Sequence, residues 1–218
     1  MDRERMPEYQ DYGWGRGMTD AHGYLYPALR RMMEKDKSKT VLDLGCGNGA
    51  VAGMLLKEGY NVYGVDASVT GISIAKAVYP DRFFVHDVSD EFLPAEIEIK
   101  PFDLVISTEV IEHLYAPRAY LRLVRAILAN RRGEIIISTP YHGYWKNLAL
   151  ALANRWDRHF TALWDGGHVK FWSRRTLTQL LGESGFKVTE FQGAGRVPLL
   201  WKSMLLRAGL KTQAANTP

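Results

Sequence analysis

The 218-residue chain has a single cysteine, Cys46, so no disulfide can form within it. That usage suits a reducing compartment. There is no run of about 18 uncharged apolar residues, so no transmembrane segment is expected. The opening residues, Met-Asp-Arg-Glu-Arg-Met-Pro, lack the apolar core of a secretory leader. A cytoplasmic protein is the expectation. A strong excess of one charge is missing too: 28 Lys and Arg stand against 24 Asp and Glu. The basic residues are scattered, with only short pairs such as Arg131-Arg132 and Arg174-Arg175. They predict a solvated surface, and nucleic acid is not expected as a partner.

What is present is strong periodicity. Leu25, Ala28, Leu29, Met32 and Met33 recur at helical spacing and predict a helix over 24–35. Short apolar runs predict strands at 40–44, 61–65, 82–86, 102–107 and 134–138. Helices are expected at 50–58, 69–78, 117–129 and 176–183, with Pro117 suited to a first turn. Two late strands are expected at 186–191 and about 200–206, and the tail after Gly209 is expected to fray. Alternation from 40 to 138 predicts an α/β fold. Its form is a doubly wound, seven-stranded, mostly parallel sheet with an antiparallel edge hairpin. One domain is expected over 1–218. It divides into an N-terminal arm and helix (1–37), a core (38–140), an aromatic insertion (141–172) and a C-terminal helix with edge strands (173–218).

Asp43-Leu-Gly45-Cys-Gly47-Asn-Gly49 follows the first strand and opens a helix. Glycines there permit positive φ and close approach of a ligand to backbone. Alone, such a loop fits a dinucleotide, another ligand or a plain tight turn. Two carboxylates narrow the choice. Asp66, at the end of the second strand, can accept both hydroxyls of a ribose. Asp87, after the third, can accept an adenine amine. Asp43 beside the loop disfavours a pyrophosphate and tolerates a positively charged ligand. A Gly-Lys-Ser/Thr ending, which ATP would call for, is absent.

The run Val-Leu-Asp-Leu-Gly-Cys-Gly-Asn-Gly resembles the first motif of class I S-adenosylmethionine-dependent methyltransferases. Tyr-Gly-Val-Asp-Ala-Ser (63–68) and Phe-Asp-Leu-Val-Ile-Ser (102–107) resemble their second-strand and fourth-strand motifs. The match runs in order over about 38–140. It implies S-adenosylmethionine as cofactor, with Asp43, Gly45 and Gly47 at the methionine moiety. It places Asp66 and Ala67 at the ribose and adenine side and Asp87 and Val88 at the adenine, with Thr108 completing the set.

After the fourth strand comes Thr108-Glu109-Val-Ile-Glu112-His113. On a short helix, Glu109, Glu112 and His113 would share one face at i, i+3 and i+4. Two carboxylates and an imidazole can hold a divalent cation, or His113 can act as general base. They can equally be a favourable helix N-terminus and a packed histidine. His168, in Gly-Gly-His-Val-Lys-Phe-Trp, is a fourth candidate. Glu-x-x-Glu-His with a distant His-x-x-Phe resembles ubiquinone-biosynthesis O-methyltransferases and small-RNA terminal 2′-O-methyltransferases. In both groups the substrate carries vicinal hydroxyls. The expectation is one cluster of Glu109, Glu112, His113 and His168, with the two histidines within about 10 Å, around a base or a metal.

The insertion gathers Tyr141, Tyr144, Trp145, Trp156, Phe160 and Trp164 with several leucines. A lid that shapes the pocket is the expected role. A helix on a membrane surface through 141–164 is the alternative. Trp14, Arg16, His22 and Tyr24 of the arm are candidates to touch cofactor or substrate, and His142 and His159 have no spacing in their favour. The expected activity is O-methylation of a small-molecule hydroxyl, such as a diol or catechol. The alternatives are an RNA 2′-O-methyltransferase and a non-catalytic cofactor-binding protein on the same fold.

Overall fold

The computed structural model describes residues 14–15, 17, 20–33, 37–90, 92–160, 162–164 and 166–211, with the side chains of 20–22 left aside. Helix α1 (Asp20–Met32) leads into β1 (Thr40–Leu44), α2 (Ala50–Lys57), β2 (Asn61–Asp66), α3 (Val69–Lys76) and β3 (Phe83–Val85). After a short α4 (Ala95–Glu98) come β4 (Leu104–Ser107), α5 (Pro117–Leu128) and β5 (Glu134–Pro140). Helices α6 (Tyr144–Leu152), α7 (Trp156–Phe160) and α8 (Arg174–Glu183) precede the final strands β6 (Phe186–Ala194) and β7 (Ser203–Leu210).

The strands form one seven-stranded sheet in the order β3-β2-β1-β4-β5-β7-β6. The first five are parallel, and β7 runs antiparallel between β5 and β6. Strands covered on both faces should read as continuous apolar runs. Accordingly Val41, Leu42 and Leu44 of β1 and Ile135, Ile136 and Ile137 of β5 are each no more than 1 % exposed. One core layer joins Leu42, Val105 and Ile135 to α5 and α8, and the opposite layer joins Val41, Ile106 and Ile136 to α1, α2 and α3. Local caps fix the helix starts. Ser68 accepts from the Gly71 N–H at 2.8 Å to open α3. Ser173 and Thr176 exchange bonds in a capping box at α8.

The chain turns from β1 toward β2 on one side and reaches β4 on the other. The crevice at the carboxyl ends of these strands is therefore the switch point where open α/β sheets bind ligands. Some boundaries differ from the sequence expectation. Helix α1 starts at Asp20, four residues early, and α4 was not foreseen. Strand β7 starts at Ser203 rather than near 200 and continues to Leu210. Leu210, the first residue of the tail expected to fray after Gly209, is held in the sheet by pairing with Phe186. The tail from 212 onward lies outside the described residues.

Candidate functional site

The glycine loop is docked by backbone bonds. The N–H groups of Gly45 and Cys46 both donate to the Val65 carbonyl, at 2.9 and 3.0 Å. Gly45 has φ 87°, and a Cβ there would lie 2.4 Å from Val110 Cγ2. The loop therefore touches the turn that carries Glu109–His113. Gly47 has φ 55°, and its absent side chain is replaced by the Trp14 ring, 2.6 Å from where a Cβ would sit. Asn48 Nδ2 donates to the carbonyls of Gly15 and Gly17, at 3.0 and 2.9 Å. The arm thus crosses the loop at Trp14. Arg16 and the His22 side chain lie outside the described residues. The Tyr24 ring carries Lys202 Nζ at 5.0 Å from its centroid.

Asp66 closes the crevice. Its Oδ2 accepts from the Gly47 N–H at 2.7 Å and its Oδ1 from the Ser68 N–H at 2.8 Å. Ala67 beside it is half-buried. Asp87 lies two residues beyond β3, and its Oδ1 accepts from the Ser89 N–H and hydroxyl. Val88 is buried and Thr108 half-buried. Asp43 is fully buried, and neither carboxylate oxygen has a well-formed hydrogen bond among the described residues. Burial first, and the nearby Asp66 charge second, push its pKa up to about 7. An orphaned buried carboxylate beside an open glycine loop fits a ligand that carries positive charge and no phosphate, as S-adenosylmethionine does. Asp43, Gly45, Gly47 and Asp66 are the residues that would hold it.

The Glu-x-x-Glu-His segment is shaped differently from the expected helix face. The helical turn is 3₁₀ and covers only Ile111–His113. Glu109 lies outside it with φ 56°. Its carboxylate turns to the sheet, accepting from Ser138 Oγ at 2.7 Å and Ser203 Oγ at 3.0 Å. The i, i+3, i+4 face therefore does not form. Burial raises Glu109 to about 7, against the lowering effect of Ser138, Ser203 and Lys146. Sequence reasoning missed these three partners. Ser138-Thr139, ending an otherwise apolar strand, was a readable signal. Lys146 was not, because a lysine on an exposed helix is ordinarily solvated. Here it is 7 % exposed, donates to the Lys202 carbonyl at 3.2 Å, and is lowered by burial to about 8.

Glu112, His113 and His168 do come together. Their ligand-type atoms lie within 4.8 Å of one another. The two histidine ring centroids are 4.9 Å apart. Donors at about 2.1 Å from one tetrahedral ion lie roughly 3.4 Å apart, so the side chains would have to draw in by about an ångström to close the set. The backbone builds this. The Glu112 carbonyl accepts from the N–H groups of Val169 and Lys170, at 2.9 and 3.0 Å, pinning the His168 segment to the turn. Glu112 is 1 % exposed, and neither carboxylate oxygen has a hydrogen-bond partner among the described residues. Burial, then the Glu109 charge, hold it well above the usual carboxylate range. His113 Nδ1 lies 3.0 Å from the Gly166 carbonyl. A carbonyl only accepts, so the proton sits on Nδ1, which makes Nε2 the acceptor nitrogen of the neutral ring. Burial lowers His113, and burial with His113 nearby takes His168 to about 4. Both rings are neutral near pH 7.

The insertion folds as α6 and α7 over this edge. Its surface exposes large apolar side chains, with Tyr144 73 % exposed, Leu152 80 % and Leu163 99 %, beside the exposed Arg155, Asp157 and Arg158. No helix among the described residues is long and apolar enough to cross a membrane. His142 and His159 lie together within the insertion, with ring centroids 5.8 Å apart.

Residues 19–190 match a family described as a methyltransferase domain. The chain is 34 % identical over 172 residues to a ubiquinone biosynthesis O-methyltransferase of Rhodopseudomonas palustris, covering 74 % of this chain and 64 % of that protein. It therefore spans just under two thirds of that relative's length. A crystal structure of an S-adenosylmethionine-dependent methyltransferase from Mesorhizobium loti superposes with a TM-score of 0.65 at 20 % identity, covering 84 % of this chain and 96 % of that one. Magnesium protoporphyrin IX methyltransferase from Synechocystis, solved with S-adenosylhomocysteine bound, gives a TM-score of 0.59 at 19 % identity over 79 % of this chain and 74 % of that one.

Proposed function

Since this chain belongs to the class I S-adenosylmethionine-dependent methyltransferase family, we propose that it methylates a hydroxyl oxygen of a small molecule, with a diol or catechol as the acceptor class. The observation that carries this is the cluster of buried Glu112 with the half-buried His113 and His168 beside the glycine loop, with Val110 packed on Gly45 between them. The name of the Rhodopseudomonas relative supports oxygen as the accepting atom.

The bound cofactor supplies an electrophilic methyl group on a sulfonium. Asp43 offers its amino group and positive charge a counter-charge, and Asp66 offers the ribose hydroxyls two acceptor oxygens. The remaining work is alignment and deprotonation. An acceptor hydroxyl placed against the cluster gives its proton to His113 Nε2, and the oxygen forms its new bond to the methyl carbon as the carbon–sulfur bond breaks. His113 is suited to this because its Nδ1–H is committed to the Gly166 carbonyl. The same three side chains suit a divalent cation, which would lower the hydroxyl's pKa and hold the second hydroxyl of the diol. The insertion covers this edge and excludes water.

Radiolabelled methyl transfer to catechol tests the assignment, with S-adenosylhomocysteine affinity measured alongside. His113→Gln is expected to lower kcat by roughly 10²–10⁴-fold while the affinity holds. Unchanged turnover in both His113→Gln and His168→Gln would refute the cluster's role.

A further inference from the structure

The groups assigned to the cofactor are mostly covered. Asp43 has no exposed surface, Asp66 is 8 % exposed, and the glycine loop is half-open only at Gly45, with Gly47, Asn48 and Gly49 buried. A ligand of the size of S-adenosylmethionine cannot rest on Gly47 and Asp66 until something beside them moves. On the Gly45 side the neighbour is Val110, part of the turn after β4. On the Gly47 side it is Trp14, from the arm that precedes α1. The indole therefore stands on the residue whose N–H donates to Asp66 Oδ2 at 2.7 Å, the carboxylate assigned to the ribose hydroxyls.

Two contacts hold the arm in place. The first is a socket for the ring. Trp14 Cζ2 and Cη2 each lie 2.6 Å from where a Gly47 Cβ would sit, and Cδ1 lies 3.0 Å from the same point on Gly71, at the start of α3. The ring spans from the loop to α3 in room that exists because both residues lack a side chain. The second contact is the Asn48 amide, whose residue is 7 % exposed. Its Nδ2 donates to the carbonyls of Gly15 and Gly17, at 3.0 and 2.9 Å, and its Oδ1 accepts from the Ala50 N–H at 3.2 Å. Both amide hydrogens are thus committed to the arm, and α2 fixes the orientation of the amide from behind. Compared with the core beneath, this cover has little to break. Each hydrogen bond favours the closed arrangement by a factor of about 2–10, so two bonds and a half-buried ring hold the open one to a few per cent or less.

We propose that Trp14 and Asn48 form a clasp that gates the cofactor. S-adenosylmethionine enters, and S-adenosylhomocysteine leaves, when the indole lifts from the Gly47–Gly71 socket and Asn48 releases Gly15 and Gly17. The clasp rests on the assignment of Gly47 and Asp66 to the cofactor made above, and not on the nature of the methyl acceptor. A gate that closes equally over the free and the loaded protein slows entry and exit by the same factor and leaves the affinity unchanged. That signature sets it apart from a side chain that binds the cofactor and from one that merely supports the loop.

Surface plasmon resonance on the immobilised full chain gives both rate constants for S-adenosylhomocysteine. Trp14→Ala and Asn48→Ala are each expected to raise the on-rate and the off-rate together by about tenfold, with Kd held within about threefold. Trp14→Phe, which keeps a ring, should fall between wild type and Trp14→Ala. An off-rate that rises alone would make the arm a wall of the cofactor site and overturns the gate. A lower on-rate in both variants marks a damaged loop and overturns it as well, as do rates that neither substitution moves. A wild-type on-rate at the diffusional ceiling of about 10⁸–10⁹ M⁻¹s⁻¹ leaves no room for a gate and overturns the proposal without any variant. Asp66→Ala tests the underlying assignment separately. Lost S-adenosylhomocysteine affinity in Asp66→Ala, with rates blind to both arm substitutions, would keep the assignment and refute the gate. Faster rates in both arm variants, with full affinity in Asp66→Ala, would do the reverse.

Discussion

Asp43→Asn separates stability from cofactor binding at one atom pair. Asp43 is fully buried without a well-formed hydrogen bond, and its pKa is raised from 3.8 to about 7, mainly by burial and then by Asp66. A carboxyl raised on folding binds more protons in the native state than in the unfolded one. Stability therefore falls as pH rises from about 4 through 7 and stays reduced above it. A shift of that size corresponds to roughly 4 kcal/mol at pH 8, at 1.36 kcal/mol per unit. Asparagine removes this cost, but its buried amide gives back about 1–3 kcal/mol for unpaired donors. The expected net gain is about 1–3 kcal/mol at pH 8, or roughly 2–12 °C in Tm for a chain of this size, and no gain near pH 4. Asparagine also cannot balance the cofactor's amino cation. A hydrogen bond to a charged group contributes about 1.5–3 kcal/mol, so S-adenosylhomocysteine should bind about 10–150-fold more weakly. Thermal denaturation between pH 4 and 8, with calorimetry of S-adenosylhomocysteine at pH 8, measures both. A variant less stable at pH 8, or one that binds S-adenosylhomocysteine as tightly as wild type, would refute the reasoning.

Two other perturbations have directions fixed by the geometry. Gly45→Ala places a Cβ at φ 87° and 2.4 Å from Val110; left-handed strain of about 1–2 kcal/mol and overpacking of about 1–3 kcal/mol should lower Tm by several degrees and weaken S-adenosylhomocysteine. Gly53→Ala, whose Cβ meets only Tyr79 at 3.8 Å, should instead stabilise α2 by about 0.5–1 kcal/mol with cofactor affinity unchanged, and the same melting experiment reads both. Dialysis against EDTA should lower catechol methylation, a divalent cation should restore it, and Glu112→Gln should weaken zinc binding by at least about tenfold in a competition titration. Full activity after EDTA treatment would leave His113 as a base without an ion.

The glycine-loop side of the candidate site was legible because local rules decide its backbone. Glycines at 45, 47 and 49 can take φ values of 87°, 55° and 73° where other residues are strained, and Asp66 sits at the end of a strand that period and hydrophobicity reveal. The acceptor side was less so, because tertiary contacts decide it. Nothing local announces that Glu109 adopts φ 56°; that conformation is held by Ser138, 29 residues away, and by Ser203, 94 residues away. Lys146 is buried only because α6 lies against the carbonyl of Lys202. The meeting of His113 and His168 was inferred from a resemblance rather than from spacing, and it depends on two backbone bonds to the Glu112 carbonyl that no side-chain pattern encodes. The start of β7 was misplaced because Leu200 and Trp201 read as strand, while the chain is still leaving the turn in which Leu199 has φ 63°.

Three carboxylates at the carboxyl edge of the sheet, Asp43, Glu109 and Glu112, are raised chiefly by burial. They differ in how they are compensated. Glu109 has two hydroxyl donors and the Lys146 charge nearby, the usual compensation for a buried ion. It reads as the group that ties β4, β5, β7 and the insertion together. Asp43 and Glu112 have no well-formed hydrogen bond among the described residues. A chain that leaves two carboxylates dry and unpaired, each beside a different part of one crevice, gives up stability at two places where a positively charged occupant would restore it. On the proposed reading, the occupant at Asp43 is the cofactor's amino group and sulfonium. At Glu112, with two imidazoles near it, the same reading puts the acceptor's proton on His113 or a divalent cation held by all three. Stability missing from the empty protein should therefore return in two separable increments, one with S-adenosylhomocysteine alone and one with cation or acceptor alone. Glu109→Gln, by contrast, should cost stability that neither ligand restores.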